Sequence, residues 1–369
     1  MVMSCGNYNS AVRKYDAICA YARQRGMAQV FFMHAELRCS LRAQQEFSTA
    51  RSTFWFMKRT LFVRAVLFVS ATVFVLMAGC STLDPITAER LRTMERLMKG
   101  TDVRFRSAVM GLLARNADTA FISTILRNPN TVFLEKMVKI NVTGFLKKAD
   151  YSHNYNAMSM RATREFFAEN ADLLRRVQDS TGVPSQVITA ILWVETKFGT
   201  VLGTYNVVSV YASLAAAAEP QNIEANKQAY RSTVFSPDSL NRLDSMVETR
   251  ARRKANWAID QLMALKSMQD RLPFPITDLR GSWAGAFGWP QFIPSSFMSW
   301  AVDGNGDGKV SLFDKEDAMA SVGNYLKVNG WGEKQSQQEA AVYHYNNSKD
   351  YVQCVLTLAE KIVAQEEEK

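Results

Sequence analysis

Histidine is scarce in this 369-residue chain, where only His34, His153 and His344 occur. A histidine-rich metal centre is excluded, and a Ser-His-Asp triad has little to draw on. His344 could act alone, but a surface or packing role is the plainer reading. Cysteine is sparse too: Cys5, Cys19, Cys39, Cys80 and Cys354 fit no zinc-ligand spacing. Basic charge is missing where a nucleic-acid binder needs it. Of the formal net charge of +9, seven charges fall in residues 1–79, with ten Lys/Arg against three Asp/Glu, which leaves +2 for residues 80–369. No nucleic-acid partner is expected. What is present is an ordinary globular mixture, 47% hydrophobic and 21% charged, enough for a sizeable core.

A membrane-spanning run is also lacking. The apolar stretch Ala65–Ala78 has fourteen uncharged residues, short of the ~20 that a span needs. Lys58, Arg59 and Arg64 precede it and Gly79-Cys80 close it. Basic residues, a short apolar run and small residues in that order read as a secretory signal. Leu76-Met77-Ala78-Gly79-Cys80 resembles the lipobox of bacterial lipoproteins, with Met77 departing from the usual residue. The resemblance implies that Cys80 is acylated and becomes the first mature residue, anchoring the protein to membrane. Ser81 after it resembles outer-membrane sorting, so the periplasmic face of the outer membrane is the expected location. Residues 57–79 are then the signal peptide and residues 1–56 a non-native upstream extension, with translation expected to begin at Met57. With Cys80 blocked, Cys354 is the one free thiol and no intramolecular disulfide can form.

The rest reads as mainly α, with few and short strand signals. Leu91, Met94, Leu97 and Met98 are at helical spacing within 84–115, and Asn128-Pro129-Asn130 marks a turn. Residues 161–180 read as one amphipathic helix. Thr181-Gly182-Val183-Pro184 breaks it, and a new helix runs to about Phe198. Residues 218–255 are polar and charged. Helix is expected at 256–268, 317–328 and 349–366, with a stiff Leu272-Pro273-Phe274-Pro275 linker between.

One carboxylate is misplaced. Val187, Ile188, Ile191, Leu192 and Glu195 share a helical face, so Glu195 lies on an apolar stripe. Burying an ionised carboxylate costs several kcal/mol or more, and a desolvated Glu keeps its proton to higher pH, as a general acid must. A structural ion pair is the other reading, and spacing alone leaves both open.

The flanking residues narrow the choice. Gly182-Val183-Pro184 through Trp193-Val194-Glu195-Thr196-Lys197-Phe198-Gly199, then Gly281 to Ser296, then Tyr345-Asn346-Asn347-Ser348 with Tyr351, resemble the membrane-bound lytic murein transglycosylase B family in its own order. The resemblance spans roughly residues 160–365. It implies a lysozyme-like catalytic domain at 161–366 behind an N-terminal helical region at 80–160, α+β in the broad sense. It implies peptidoglycan glycan strands as substrate, cut at the MurNAc-GlcNAc bond. Glu195 would protonate the glycosidic oxygen, then act as base on the sugar's own 6-hydroxyl, giving 1,6-anhydro-MurNAc. Ordinary glycosidases need two carboxylates, and no second motif carboxylate stands beside Glu195. No catalytic cofactor is implied, and a monomer is expected. Ser282, Gln291, Tyr325, Tyr345 and Asn346 would line the sugar cleft, with Trp257 and Tyr351 as further stacking rings. Arg253 and Lys254 would meet stem-peptide or lactyl carboxylates. Two departures stand out: the Trp289-Pro290 pair, and a segment 216–250 that looks longer than in the family and could form a cleft-edge loop.

Asp303 to Asp314 follows the EF-hand calcium-loop template, with Asp303, Asn305, Asp307, the Lys309 carbonyl, Ser311 and Asp314 as ligands and Gly308 at the turn. A structural Ca2+, or Na+, is expected there; an Asx-rich turn without metal is the alternative. Two other functions fit the chain less well: a lysozyme-like hydrolase, and a non-catalytic peptidoglycan-binding lipoprotein.

Overall fold

The computed structural model describes residues 84–144, 150–231 and 236–364. The extension at 1–56, the signal segment at 57–79 and Cys80 lie outside the described residues. From Asp84 onward the chain is one compact unit, so the expected boundary near residue 160 does not separate two bodies.

The first helices are α1 (Pro85–Met98), α2 (Arg106–Ala114), α3 (Thr119–Arg127) and α4 (Glu135–Thr143). Asp84 and Asp118 cap α1 and α3 through their side chains. Next come α5 (Ala157–Glu169) and α6 (Ala171–Thr181), where the sequence suggested one helix. Asn170 breaks the run: its backbone leaves helical geometry and its side-chain amide donates to the Phe166 carbonyl. Gly182 ends α6 at φ +73°, and α7 (Ser185–Thr196) follows.

Helix α7 is the axis of this half of the molecule. Every residue from Val187 to Trp193 is buried, which is the pattern of a helix enclosed on all sides rather than one with a single apolar stripe. Helices α5, α6, α12 (Lys315–Val328) and α14 (Lys349–Val363) pack around it. The hairpin partner of α14 is α13 (Gln335–Tyr345), which has too weak an apolar pattern to be read from sequence.

The other half is built on α10 (Pro237–Met268), a 32-residue helix. Ser236 caps it and Pro237 opens its first turn. Val247, Ala251, Ala255, Ala258, Leu262 and Leu265 form its buried seam, against which α2, α4, α8 (Val207–Leu214), α9 (Pro220–Arg231) and α11 (Pro294–Trp300) pack. The N-terminal helices thus share a core with later ones, which is why no boundary falls near residue 160. The segment 216–250 is correspondingly not a cleft-edge loop. Its described residues include α9 and the first turns of α10, whose exposed polar faces hid the buried Ile223, Tyr230 and Val247. The sheet among the described residues is a two-residue pair, β1 (Tyr205–Asn206) with β2 (Arg280–Gly281), antiparallel with Tyr205 opposite Gly281. It ties the chain leaving α7 to the loop that begins at Ser282. Among the described residues no helix is long and apolar enough to cross a membrane.

Candidate active site

Glu195 sits in the last turn of α7, half-buried. Burial pushes its carboxyl up to about 7, and the hydrogen bond from Tyr351 opposes that shift by favouring the anion. The Tyr351 hydroxyl donates to Glu195 Oε1 at 2.6 Å, a length typical of a charge-assisted bond. Tyr351 itself is buried in the first turn of α14, and burial holds its phenol neutral as a donor. No neighbouring ion contributes to the Glu195 shift, so the group is tuned by desolvation and one phenol.

The backbone after Glu195 is strained and heavily supported. Lys197, Phe198 and Gly199 take φ of 51°, 56° and 80° in succession. Two non-glycine residues in this region persist only where surroundings over-determine them. Here Phe198 stacks on Phe166 at 3.7 Å and leans on Trp193 at 5.3 Å. The Lys197 ammonium lies 4.4 Å over the Trp193 ring and hydrogen-bonds Asn154. Gly199 is required twice over, because a Cβ there would meet the Trp289 indole at 2.4 Å. The Thr196 hydroxyl donates to the Trp289 carbonyl at 2.8 Å and accepts from Gly199 N–H. The end of α7 is thereby fixed to the loop carrying Trp289-Pro290-Gln291.

That loop meets α13. The Tyr345 hydroxyl donates to the Pro290 carbonyl at 2.6 Å. Tyr345 lies parallel to Tyr351 at 6.4 Å and tilts on Tyr325 at 4.6 Å. Gln291, at φ 50°, spends its amide on the Leu202 and Gly288 carbonyls. Tyr325 is buried, and its hydroxyl lies 2.9 Å from both the carbonyl and Nδ1 of His344. His344 is exposed and packs edge-on against Trp300, in keeping with the surface or packing role expected of it.

A family model described as "Transglycosylase SLT domain" matches residues 114–341. The chain belongs to this transglycosylase family. Membrane-bound lytic murein transglycosylase B of Escherichia coli (strain K12) is 33% identical over 166 residues, which span 45% of this chain and 37% of that protein. The match thus covers well under half of the relative's length. The fold is shared with the soluble lytic transglycosylase SltB1 from Pseudomonas aeruginosa, at 19% identity and TM-score 0.53 over 71% of this chain and 98% of that one. It is also shared with the Escherichia coli lytic transglycosylase Slt35 in complex with bulgecin A, at 19% identity and TM-score 0.53 over 71% and 93%.

Within this transglycosylase fold, the structure brings Glu195, Tyr345 and Tyr351 together, with Tyr325 and Gln291 next to them. Asn346 follows directly on Tyr345 and is half-buried, its N–H closing α13 onto the Val342 carbonyl. Ser282 is a loop-former: its hydroxyl accepts from Ala286 N–H at 3.2 Å and its own N–H donates to the Ala286 carbonyl. Trp257 stands behind that loop, edge-on to Tyr211, whose hydroxyl donates to the Gly285 carbonyl. Lys254 lies 4.0 Å over the Trp257 ring, and burial, then Arg250 and Arg253, push its ammonium down to about 8. Arg253 is exposed. Sequence reasoning missed Tyr151, which meets Tyr351 edge-on at 5.9 Å and feels the Glu195 charge, and Asn154, the fully buried partner of Lys197. Neither carries a local signal, since Tyr151 lies 44 residues before Glu195 and Asn154 43 residues before Lys197.

In the loop at 303–314, Asp303 accepts from the N–H groups of Gly306, Asp307 and Gly308, Asn305 from Asp307, and Asp307 from Lys309. Asp314 is exposed at the N-cap of α12. The carboxylate that faces the loop is Asp317, buried and accepting from Gly304, Asn305 and Ser311. Burial raises Asp317 and the Asp303 charge adds to it. Among the described residues no three His, Cys, Asp or Glu side chains are arranged as a metal centre.

Because the Tyr351 hydrogen bond favours the Glu195 anion, Tyr351→Phe should raise the Glu195 pKa above 7, observed in a 13C carboxyl titration of the folded chain. A fall would mean that Tyr351 acts on the neutral acid instead. The folded state keeps this proton to about pH 7 while the unfolded chain releases it near 4.5, so its contribution to stability is lost as pH rises through that window.

Proposed function

We propose that the protein is a peptidoglycan lytic transglycosylase using Glu195 as its one acid and base. The observation that carries this is a half-buried carboxyl with a pKa of about 7, tuned by burial and one phenol without an ionic partner. Near neutral pH such a group is protonated in a large fraction of molecules, so it can give its proton to the glycosidic oxygen. The resulting carboxylate, steadied by Tyr351, then takes the proton of the MurNAc 6-hydroxyl as that oxygen closes on the anomeric carbon. The products are a free GlcNAc 4-hydroxyl and a 1,6-anhydro-MurNAc end, and Glu195 finishes protonated. An internal nucleophile makes a second carboxylate unnecessary. Tyr351, with Tyr345 and Tyr325 packed behind it, backs the acid, and Ser282, Gln291 and Asn346 are proposed to supply polar groups to the sugar. Arg253 and Lys254 supply cations for stem-peptide or lactyl carboxylates.

Mass spectrometry of digested sacculi is the test. Wild type should release anhydro-muropeptides, and Glu195→Gln should lower their release by about 10²–10⁴-fold. Hydrated reducing ends would assign a hydrolase instead, and an unimpaired Glu195→Gln variant would overturn the site.

The lipobox-like segment supports acylation at Cys80 and a place on the periplasmic face of the outer membrane, in keeping with the name of the membrane-bound relative. The intact mass of the exported protein should show a lipid-modified N-terminal cysteine; an unmodified N-terminus at another residue would reject the anchor.

The loop at 303–314 is proposed to hold a structural calcium ion. Its donors are oxygens only, as a hard cation prefers, and the Asp303 charge adds to the cost of ionising the buried Asp317. Asp303, Asn305, Asp307, the Lys309 carbonyl and Asp317 would be the ligands, with Asp314 exposed at the N-cap position of α12 and outside the set. Calcium titration calorimetry should give a binding heat that Asp317→Asn abolishes. Equal heats for both chains would dismiss the site.

A further inference from the structure

A groove of about 880 Å³ lies on the side of α14 away from Glu195, walled by α13, α14 and the start of α7. We propose that it is a second glycan-binding site, which holds a peptidoglycan strand while another stretch is cut. This rests on the reading above that peptidoglycan is the substrate. The groove has the volume of a small-molecule site. Tyr343 and Trp331 line it, and Tyr343 is 41% exposed, a large ring kept in water without a core role. Gln335, Gln338 and Gln353 surround these rings. Each amide already donates once, Gln335 to Glu339, Gln338 to the Gly332 carbonyl and Gln353 to Thr357, which leaves a second N–H and the carbonyl oxygen of each for vicinal hydroxyl and acetamido groups. Val187 and Val352 add apolar lining, and Lys349, Glu339 and Glu360 add charged lining. Rings for the sugar faces and amides for their edges suit an N-acetylated saccharide strand.

The groove is built on the helices that form the acid site. On α14, Tyr351 turns to Glu195 while Val352 and Gln353 line the groove. On α7, Val187 and Glu195 are eight residues apart, about 12 Å along the helix. A polymeric substrate held at two such sites gains avidity without a new catalytic contact.

The test uses the full chain with Glu195→Gln, to stop turnover, sedimented with purified sacculi and titrated with chitotetraose. Adding Tyr343→Ala and Gln353→Ala, both at exposed positions, should weaken sacculus binding roughly tenfold and remove one of two chitotetraose sites. A melting temperature equal to that of the parent shows that the pair still folds. With Glu195 intact, the same pair should slow release from sacculi and leave the rate on short soluble glycan fragments unchanged. Sacculus binding and chitotetraose stoichiometry unchanged by the pair overturn the groove and leave it to a protein partner. If wild type releases no anhydro product while the pair still weakens sacculus binding, the catalytic reading fails and the groove stands.

Discussion

The carboxyl of Glu195 is held where water cannot fully solvate its charge, and much of the surrounding architecture follows from that constraint. A helix enclosed on every side must end somewhere, and α7 ends at the acid. Four helices pack around it, and the Tyr351 hydroxyl holds the carboxyl at its end. The energetic scale is several kcal/mol for a charge removed from water, offset in part by one short bond from Tyr351. The balance leaves the group poised near neutrality rather than locked in either form.

The same demand explains the strained turn behind the acid. Three successive residues with positive φ throw the chain sharply away from α7, and that turn survives because Phe198, Trp193, Phe166 and Trp289 pack on it from several sides. Lys197 is held between the Trp193 ring and Asn154, so its charge is directed away from Glu195. A cation against the carboxylate would have stabilised the anion and lowered the pKa, defeating the function of an acid at neutral pH. The Trp289-Pro290 pair thus has a structural use: its carbonyls receive Thr196 and Tyr345, joining α7, the loop and α13.

The two-sided helices α13 and α14 give the molecule its economy of design. Each sends tyrosines toward the acid and amides or aromatics toward the outer groove. The loop at 303–314 plays a comparable part beneath α12, where Asp317 gathers three N–H groups and orders the entry to the helix that carries Tyr325.

The helical class, the helix bearing Glu195 and the three motif segments were all legible in the amino-acid order, although that helix ends at Thr196, with Lys197 left-handed, and not near Phe198. These are local features: periodicity, capping and short-range spacing need no knowledge of distant residues. The apolar neighbours of Glu195 likewise announced a desolvated carboxylate. What the order of residues could not decide was how that acid is tuned and supported. Tyr351 lies 156 positions away and Tyr151 lies 44 positions before the acid, so their meeting at one carboxyl is a product of packing alone. The seam of α10 was hidden for a related reason, since small alanines flanked by charge look like loop until a partner helix covers them. In the calcium-like loop the template favoured Asp314, the twelfth position, whereas the fold turned Asp317 inward, because the first turn of α12 places that side chain, and not its cap, over the loop's N–H groups. Sequence alone therefore determined which helix carries the acid, and tertiary structure decided its environment, because a pKa depends on what lies around a group and not on what precedes it in the chain.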